Sequence, residues 1–497
     1  MNNSSHMHSF ARSLTSFFIG PFIYREKLNK VLLLFFLLTN LVVLLNVVVH
    51  PPDIGYDGYS HLKYVRKLAV RLPVKGDTSE YFSPPLPYFF PSRVYDLCAR
   101  TDINEQWDDS SLQPCLFLAG KAGQFQNVLL SVLLTFFLLK ICELIYPGNL
   151  PVKLTTLGLL GMLPVYYKTF AFVRGEPFVA SLGMFASYLV LEMILDTRAC
   201  KPSHAIVLGI SLGLLMLARQ WSMLFFPAIV LMALLLLLKH GKEAFPVVKG
   251  FGLSVVIAFL LGAWFYILQF LRYGTPTAFN RAPAATWSFL NQPLHFYVGT
   301  GWQHLFTAPI RPFFPNQFIP IFYSEIWGDY WGYFVVTPDN LDYIGRYLGR
   351  VNLVSLVPSA ILLVGLAMGV IYLKQFLQCE KGCGEDHRAR LFSYLLLVIV
   401  SAFAGYLWFL VRYPYLEKGD TIKATYMLHV LVLLPLFGSD ILEKVRVRAK
   451  YLYVILLAIL ALIFVHNHGV IITHYASERE FLLRISPRAA DMASTLD

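Results

Sequence analysis

Charge is scarce in this chain. Only 14% of its 497 residues are Asp, Glu, Lys or Arg, while 57% are apolar. That balance excludes an ordinary soluble domain. Acidic residues are the scarcest, 30 against 41 Lys and Arg, and the net charge is +11. The basic excess is not gathered on one soluble region, so no nucleic-acid partner is expected. It clusters between apolar runs, which fits membrane topology and contact with anionic lipid. The chain also lacks internal repeats and low-complexity tracts. Arg12, Arg25, Lys27 and Lys30 precede a long apolar run with no small-residue cleavage pattern after it. A retained signal anchor is expected there, not a cleaved signal peptide.

Cysteine is sparse too, six in all. Cys98 and Cys115 share one segment and could pair in an oxidising compartment. Cys379 and Cys383 with His387 make an incomplete zinc pattern without an obvious fourth ligand; two reduced thiols in a solvated linker is the simpler reading. Cys142 and Cys200 read as packing or linker residues.

Apolar runs, in contrast, recur from end to end, and many can cross a hydrocarbon core of roughly 30 Å. Backbone groups in lipid must bond internally, so the runs are expected to be helices. The spans fall near 31–49, 126–146, 153–167, 177–195, 204–218, 221–238, 250–271, 351–373, 391–411, 424–440 and 451–466. The expected fold is therefore an all-α polytopic membrane protein of about eleven transmembrane helices, one domain over 1–497. With the N-terminus in the cytoplasm, the inside linkers and tail hold about 19 Lys and Arg against about 6 in the short outside loops, which satisfies the positive-inside rule. Arg219-Gln220 splits 204–238 into a hairpin, because an Arg facing lipid at mid-bilayer costs several kcal/mol. Two long outside loops remain, 50–125 and 272–350. They are rich in aromatic residues and carry amphipathic stretches such as His61–Leu72, so they are expected to lie as interfacial helices and form a cap.

The polar residues of interest sit in these loops. Just past the first span runs His50-Pro51-Pro52-Asp53-Ile54-Gly55-Tyr56-Asp57-Gly58-Tyr59-Ser60-His61. A carboxylate at the mouth of an apolar bundle is costly to keep and points to function. Asp53, Asp57 and His61 are four apart and share a face in a helix, and in an extended strand as well. Downstream comes Tyr81-Phe82-Ser83-Pro84-Pro85-Leu86-Pro87-Tyr88, where the prolines stiffen the chain. Phe172-Val173-Arg174-Gly175-Glu176-Pro177 opens span four. Loop two holds Tyr323-Ser324-Glu325-Ile326-Trp327-Gly328-Asp329-Tyr330-Trp331, and Lys418 to Tyr426, with Lys423, opens span ten.

The order of these stretches resembles the C-type (GT-C) glycosyltransferases, in particular the protein O-mannosyltransferases and the lipid A aminoarabinose transferases. That resemblance implies a glycosyltransferase using a polyprenyl-phosphate-linked sugar donor and an acceptor hydroxyl on the non-cytosolic face. The acceptor class stays open among lipid, glycan and protein. The membrane is a plasma (inner) membrane or an endoplasmic reticulum. By the same resemblance Asp57 is the catalytic base, with Asp53 second. Gly58 departs from the family pattern, since many relatives carry a second acidic residue there, which puts a two-carboxylate metal site in doubt.

The chemistry suits these residues. A carboxylate can take the acceptor's proton, and the leaving phosphate needs cations. Lys63, Arg174, Arg272, Arg281, Arg311, Arg412 and Lys423 are the outside-facing candidates. A single displacement would invert the anomeric centre. Trp327, Tyr330 and Trp331 are candidates to stack on the sugar, with Glu325 and Asp329 bonding its hydroxyls. Asp53, Asp57, His61 and Glu176 have the donor chemistry for a divalent ion, and no cofactor is otherwise expected. Each residue also has a plainer reading: Asp57 as a solvated or helix-capping residue, His61 as a structural hydrogen-bond partner, Glu176 as the partner of Arg174, the Trp-rich stretch as an interfacial belt. The rival function is a polytopic transporter of a lipid or small solute, which would favour pseudo-symmetric halves and midplane breaks; neither is evident.

Overall fold

The computed structural model describes residues 19–24, 27–101, 113–195, 201–311, 315–378, 387–414 and 421–475. Cys200 and the Cys379/Cys383 pair lie outside the described residues, as do Lys418 to Asp420. The first span forms α1 (Lys30–Val49), capped by the Asn29 side chain, which accepts from the Leu32 N–H at 2.8 Å. It ends where His50-Pro51-Pro52 removes two successive donors.

Loop one then supplies α2 (Gly58–Leu68) and α3 (Leu86–Ala99). The second long helix, α4, runs Pro114–Ile145. It begins twelve residues before the expected span, so the first loop closes near 113 instead of 125. The added turns bury Cys115, Ala119, Lys121 and Gln124 against loop one, and that packing extends the helix beyond its most apolar part. Cys98 and Cys115 form a disulfide that ties α3 to α4.

The chain continues through α5 (Leu150–Gly161), α6 (Pro164–Ala171), α7 (Glu176–Leu195), α8 (Pro202–Met216), α9 (Phe225–His240) and α10 (Phe245–Tyr273). Beyond them come α11 (Phe318–Trp327), α12 (Leu341–Val354), α13 (Leu356–Gln378), α14 (His387–Arg412), α15 (Leu428–Leu431), α16 (Leu434–Arg448) and α17 (Lys450–His466). Among the described residues, six helical stretches are long and apolar enough to cross a membrane, and a bent pair, α15 with α16, makes a seventh. Three shorter apolar helices, α5, α8 and α17, accompany them. The expected segments fall on helical stretches, but 153–167 is broken at Met162-Leu163 between α5 and α6, and 424–440 is broken at Val432-Leu433 between α15 and α16. The span expected at 351–373 starts later, at Leu356, because α12 is an amphipathic helix belonging to loop two. The only β pairing among the described residues is Ile23–Tyr24 with Lys27–Leu28.

The expected hairpin at Arg219 forms. Gly209 of α8 faces Ile257 of α10, Gly213 faces Leu261, and Met216 faces Gly262. This ascending register makes α8 and α10 parallel, so α9 must run back between them. Glycine is required at the contact, since a Cβ on Gly209 would lie 2.7 Å from that of Ile257. Small residues that let backbones approach are a common means of helix association in membranes.

Polar side chains lock the helices around loop one. Asn40 of α1 donates to Thr135 of α4 at 3.0 Å and accepts from Ser131 at 2.6 Å. The Lys121 ammonium donates to the carbonyls of Val47, Val48 and His50 at 2.7–3.0 Å. A cation there satisfies the open carbonyls at the end of α1 and matches its dipole. It fixes where the chain leaves the bundle, seven residues before Asp57. Replacing Gly209 with Leu should drive α8 from α10 and cost about 1–3 kcal/mol, read as a lower melting temperature of the detergent-purified protein; an unchanged value would refute this packing.

Candidate active site on the loop face

Asp57 is the only non-glycine residue with positive φ among the described residues, at φ 56 and ψ 26. Such left-handed backbone is costly for most side chains and tolerable for Asp and Asn. The turn that forces it is tight: a Cβ on Gly58 would lie 2.3 Å from the Asp53 carbonyl oxygen. Position 58 therefore has no room for an acidic side chain. The turn also corrects the expectation that Asp53, Asp57 and His61 share one face. Only His61 lies within α2, and Asp53 is left before the turn, in the field of Lys121.

Asp57 occupies the cap position of α2 yet makes no capping bond. Its carboxylate instead meets Lys423 Nζ at 3.3 Å and stays 42% exposed. Lys423 sets this carboxyl at about 2, overcoming the upward push of burial. Lys423 is itself held above its ordinary value: burial opposes this, but the neighbouring Tyr426 and Asp57 outweigh it.

Arg174 completes a cationic pair with Lys423. Both lie over the Tyr56 ring, at 5.2 Å each, and over the Tyr426 ring, at 5.5 and 5.7 Å. Arg174 binds Glu176 through Nε at 2.5 Å and Nη2 at 3.0 Å. Its buried Nη1 has no hydrogen-bond partner among the described residues.

Behind them runs a row of buried ions. Glu176 also meets Arg219 Nε at 3.2 Å, and Arg219 Nη1 meets Glu80 at 2.9 Å. Arg219 further donates to Ser83, beside Pro84-Pro85. Burial would lift the Glu80 carboxyl, but Arg219 and His61 outweigh it and hold it at about 2. His61 is buried, which lowers it to about 4 and keeps it neutral near pH 7. Its Nδ1 pairs with the Tyr88 hydroxyl at 2.8 Å, and its buried Nε2 has no partner among the described residues.

Loop two forms the floor. Glu325 accepts from Lys168 Nζ at 2.7 Å, from the Trp331 N–H at 3.1 Å and from the Tyr56 hydroxyl. Burial raises the Glu325 carboxyl, and Asp329 adds to that while Lys168 opposes it. Asp329 gathers the backbone N–H groups of Tyr333, Phe334, Val335 and Val336 at 2.7–3.3 Å. Both carboxylates thus bond protein groups in place of the sugar hydroxyls expected from the sequence. Trp327 and Tyr330 are buried in the core, 2% and 1% exposed, with no open face for a sugar. Aromatic residues that fill a core and those that line a sugar site have the same signature in sequence. Trp331 comes nearest the cations, 5.5 Å below Lys423 and 4.7 Å below Arg311.

The structure therefore unites Asp57, His61, Arg174, Glu176 and Lys423, with Glu325 and Asp329 one layer beneath. Of the other basic candidates, Arg412 holds the Ala284 carbonyl, Arg272 is exposed on α10, and Lys63 and Arg281 line a separate basin. Glu80, Tyr56, Lys168, Arg219 and Tyr426 were not singled out as site residues by the sequence. Glu80 and Lys168 carried a usable signal, as isolated charges bordering apolar or aromatic runs. Among the described residues no group of three or more His, Cys, Asp or Glu side chains is placed to hold a metal ion.

An apolar groove of about 180 Å³ opens beside the row. Arg219 and Tyr426 stand in its lining, and Trp221, Phe279, Trp408 and Phe409 form its aromatic walls. It joins the charged centre to a surface where Trp408 is exposed. Glu176→Ala should strand Arg174 and Arg219 and cost about 3–5 kcal/mol, seen as loss of monodisperse protein on size exclusion. Arg219→Met should also destabilise by leaving Glu80 unpaired. A well-folded Glu176→Ala protein would refute the role given to the ion row.

No family model matches the sequence, and no curated protein matches it. Among solved structures, the chain is similar to ArnT from Cupriavidus metallidurans bound to undecaprenyl phosphate, at 12% identity and a TM-score of 0.46, over 86% of this chain and 63% of that one. It is also similar to the archaeal oligosaccharyltransferase AglB from Archaeoglobus fulgidus, in complex with an inhibitory peptide and a dolichol-phosphate, at 12% identity and a TM-score of 0.49, over 89% of this chain and 56% of that one. The chain thus spans less than two thirds of the length of either structure.

Proposed function

We propose that this membrane protein is a glycosyltransferase of the GT-C kind, moving a sugar from a polyprenyl-phosphate donor to an acceptor hydroxyl at the loop face. One observation carries the reading. A half-exposed carboxylate on left-handed backbone faces two cations, and one of those cations keeps a buried N–H without a partner among the described residues. Strained backbone of this kind concentrates at functional sites. An unsatisfied guanidinium N–H is costly unless a ligand meets it.

In this reading the donor phosphate seats between Lys423 and Arg174, and Arg174 Nη1 donates to one of its oxygens. The prenyl chain follows the aromatic groove past Arg219 and Tyr426. The single negative charge of the donor's phosphodiester draws Lys423 away from Asp57 and raises the carboxyl from its low resting value. Asp57 gains basicity only when the donor is bound. The acceptor oxygen then attacks the anomeric carbon as Asp57 takes its proton. The bond from that carbon to the phosphate oxygen breaks, and its electron pair leaves with the polyprenyl phosphate. One displacement inverts the sugar. The positive-inside count and the Cys98–Cys115 disulfide on this face support a non-cytosolic site.

Asp57→Asn tests the base. Asn accepts positive φ, so the variant should fold, bind donor and lose transfer by about 10²–10⁴-fold, measured by mass spectrometry on a panel of polyprenyl-phosphate sugars. Retained transfer, or solute transport without glycosyl product, would sink the proposal. Lys423→Met tests the electrostatics. Removing the cation disfavours the carboxylate form, so Asp57 should protonate at higher pH, and the acid limb of kcat/KM should rise from near 2 toward the ordinary carboxylate value of about 4. An unmoved limb would show that Lys423 does not control Asp57.

A further inference from the structure

A second cavity adjoins the aromatic groove, and Phe279 lines both. It is a polar basin of about 590 Å³. Ser60 and Lys63 come from α2, Lys75 and Asp77 from the segment after it, and Arg281 from loop two. Ser60 stands three residues past Asp57, so roughly 5 Å of helix separates the basin's edge from the candidate base.

The charges in this wall are unequal. Among the described residues its one carboxylate, Asp77, is taken up by Arg71 at 2.8 Å, Lys67 at 3.5 Å and the Val74 N–H at 2.9 Å. Lys63 and Lys75 therefore set the sign of the field among the described residues, and Lys75 lies exposed to solvent. Positive charge lining a concave surface concentrates anions. Lys423 and Arg174, the cations assigned to the donor phosphate above, do not stand in the basin's described lining.

We propose that the basin is the acceptor subsite and that it selects acceptors bearing a phosphate or carboxylate group. The proposal rests on the glycosyltransferase reading and adds the acceptor's chemical class to it. An acceptor held by its anion in the basin would extend a hydroxyl over Ser60 toward Asp57.

The test uses octyl glucoside and octyl glucoside 6-phosphate as acceptor probes, with the full chain in phosphatidylcholine nanodiscs and a polyprenyl-phosphate sugar as donor. The phosphorylated probe should show a KM at least tenfold lower than the neutral one. The double variant Lys63→Gln/Lys75→Gln, checked for a monodisperse elution profile, should bring the two KM values together. Arg66→Gln, on an exposed position of the same helix outside the basin, should preserve their ratio. Equal KM values in the unaltered protein, or a ratio that survives the double variant, overturn the proposal. So does loss of the preference when phosphatidylglycerol replaces phosphatidylcholine, which makes the basin a lipid-headgroup site. Donor hydrolysis without any charge preference overturns the proposal alone; absence of both hydrolysis and transfer overturns the glycosyltransferase reading beneath it.

Discussion

Buried ions must be paired, and this constraint organises the whole loop face. Glu80, Arg219, Glu176 and Arg174 alternate in sign through contacts of 2.5–3.2 Å, all shielded from solvent. Desolvating each ion costs several kcal/mol, so the arrangement survives only with every neighbour present. The four residues come from three separate parts of the chain: loop one, the α8–α9 turn and the entry to α7. Their pairing requires loop one to fold down onto the bundle. An aromatic-rich loop becomes a fixed cap through this electrostatic demand as much as through apolar contact.

The same row orients the groups at the surface. Arg174 is held by Glu176 on two nitrogens, which directs the third away from the row. Tyr56 lies beneath both cations, with its hydroxyl bound to Glu325, and Glu325 is held in turn by Lys168. The phenol, buried and facing a carboxylate, stays protonated far above its ordinary range. It therefore serves as a rigid donor that keeps the aromatic face turned to Lys423 and Arg174. Support of this kind fixes side-chain directions more tightly than loop backbone can.

Much of this was legible in the sequence. Long apolar runs marked the helices, because backbone in lipid has few alternatives. Arg219 marked the α8–α9 reversal, because its charge had to leave the lipid. Asp57, Arg174, Glu176 and Lys423 stood out as charges at the ends of spans, and the fold brings Asp57 within reach of a lysine 366 positions away. Other features were hidden. The early start of α4 depends on packing against loop one. The left-handed turn at Asp57 depends on the near contact of Gly58 with Asp53. Glu325 and Asp329 looked like sugar-binding acids, yet their partners are backbone and side-chain groups that only the tertiary fold supplies.

The backbone at position 57 also acts as a filter on what evolution can place there. Longer and branched side chains meet a conformational penalty of about 1–2 kcal/mol in the left-handed region before any chemistry is weighed. Glutamate shares the charge of aspartate but not its ease in that turn. Divergence at this point is therefore channelled toward aspartate, asparagine or glycine, and a lineage that abandons the carboxylate would be expected to drift to one of the latter two while the turn itself persists.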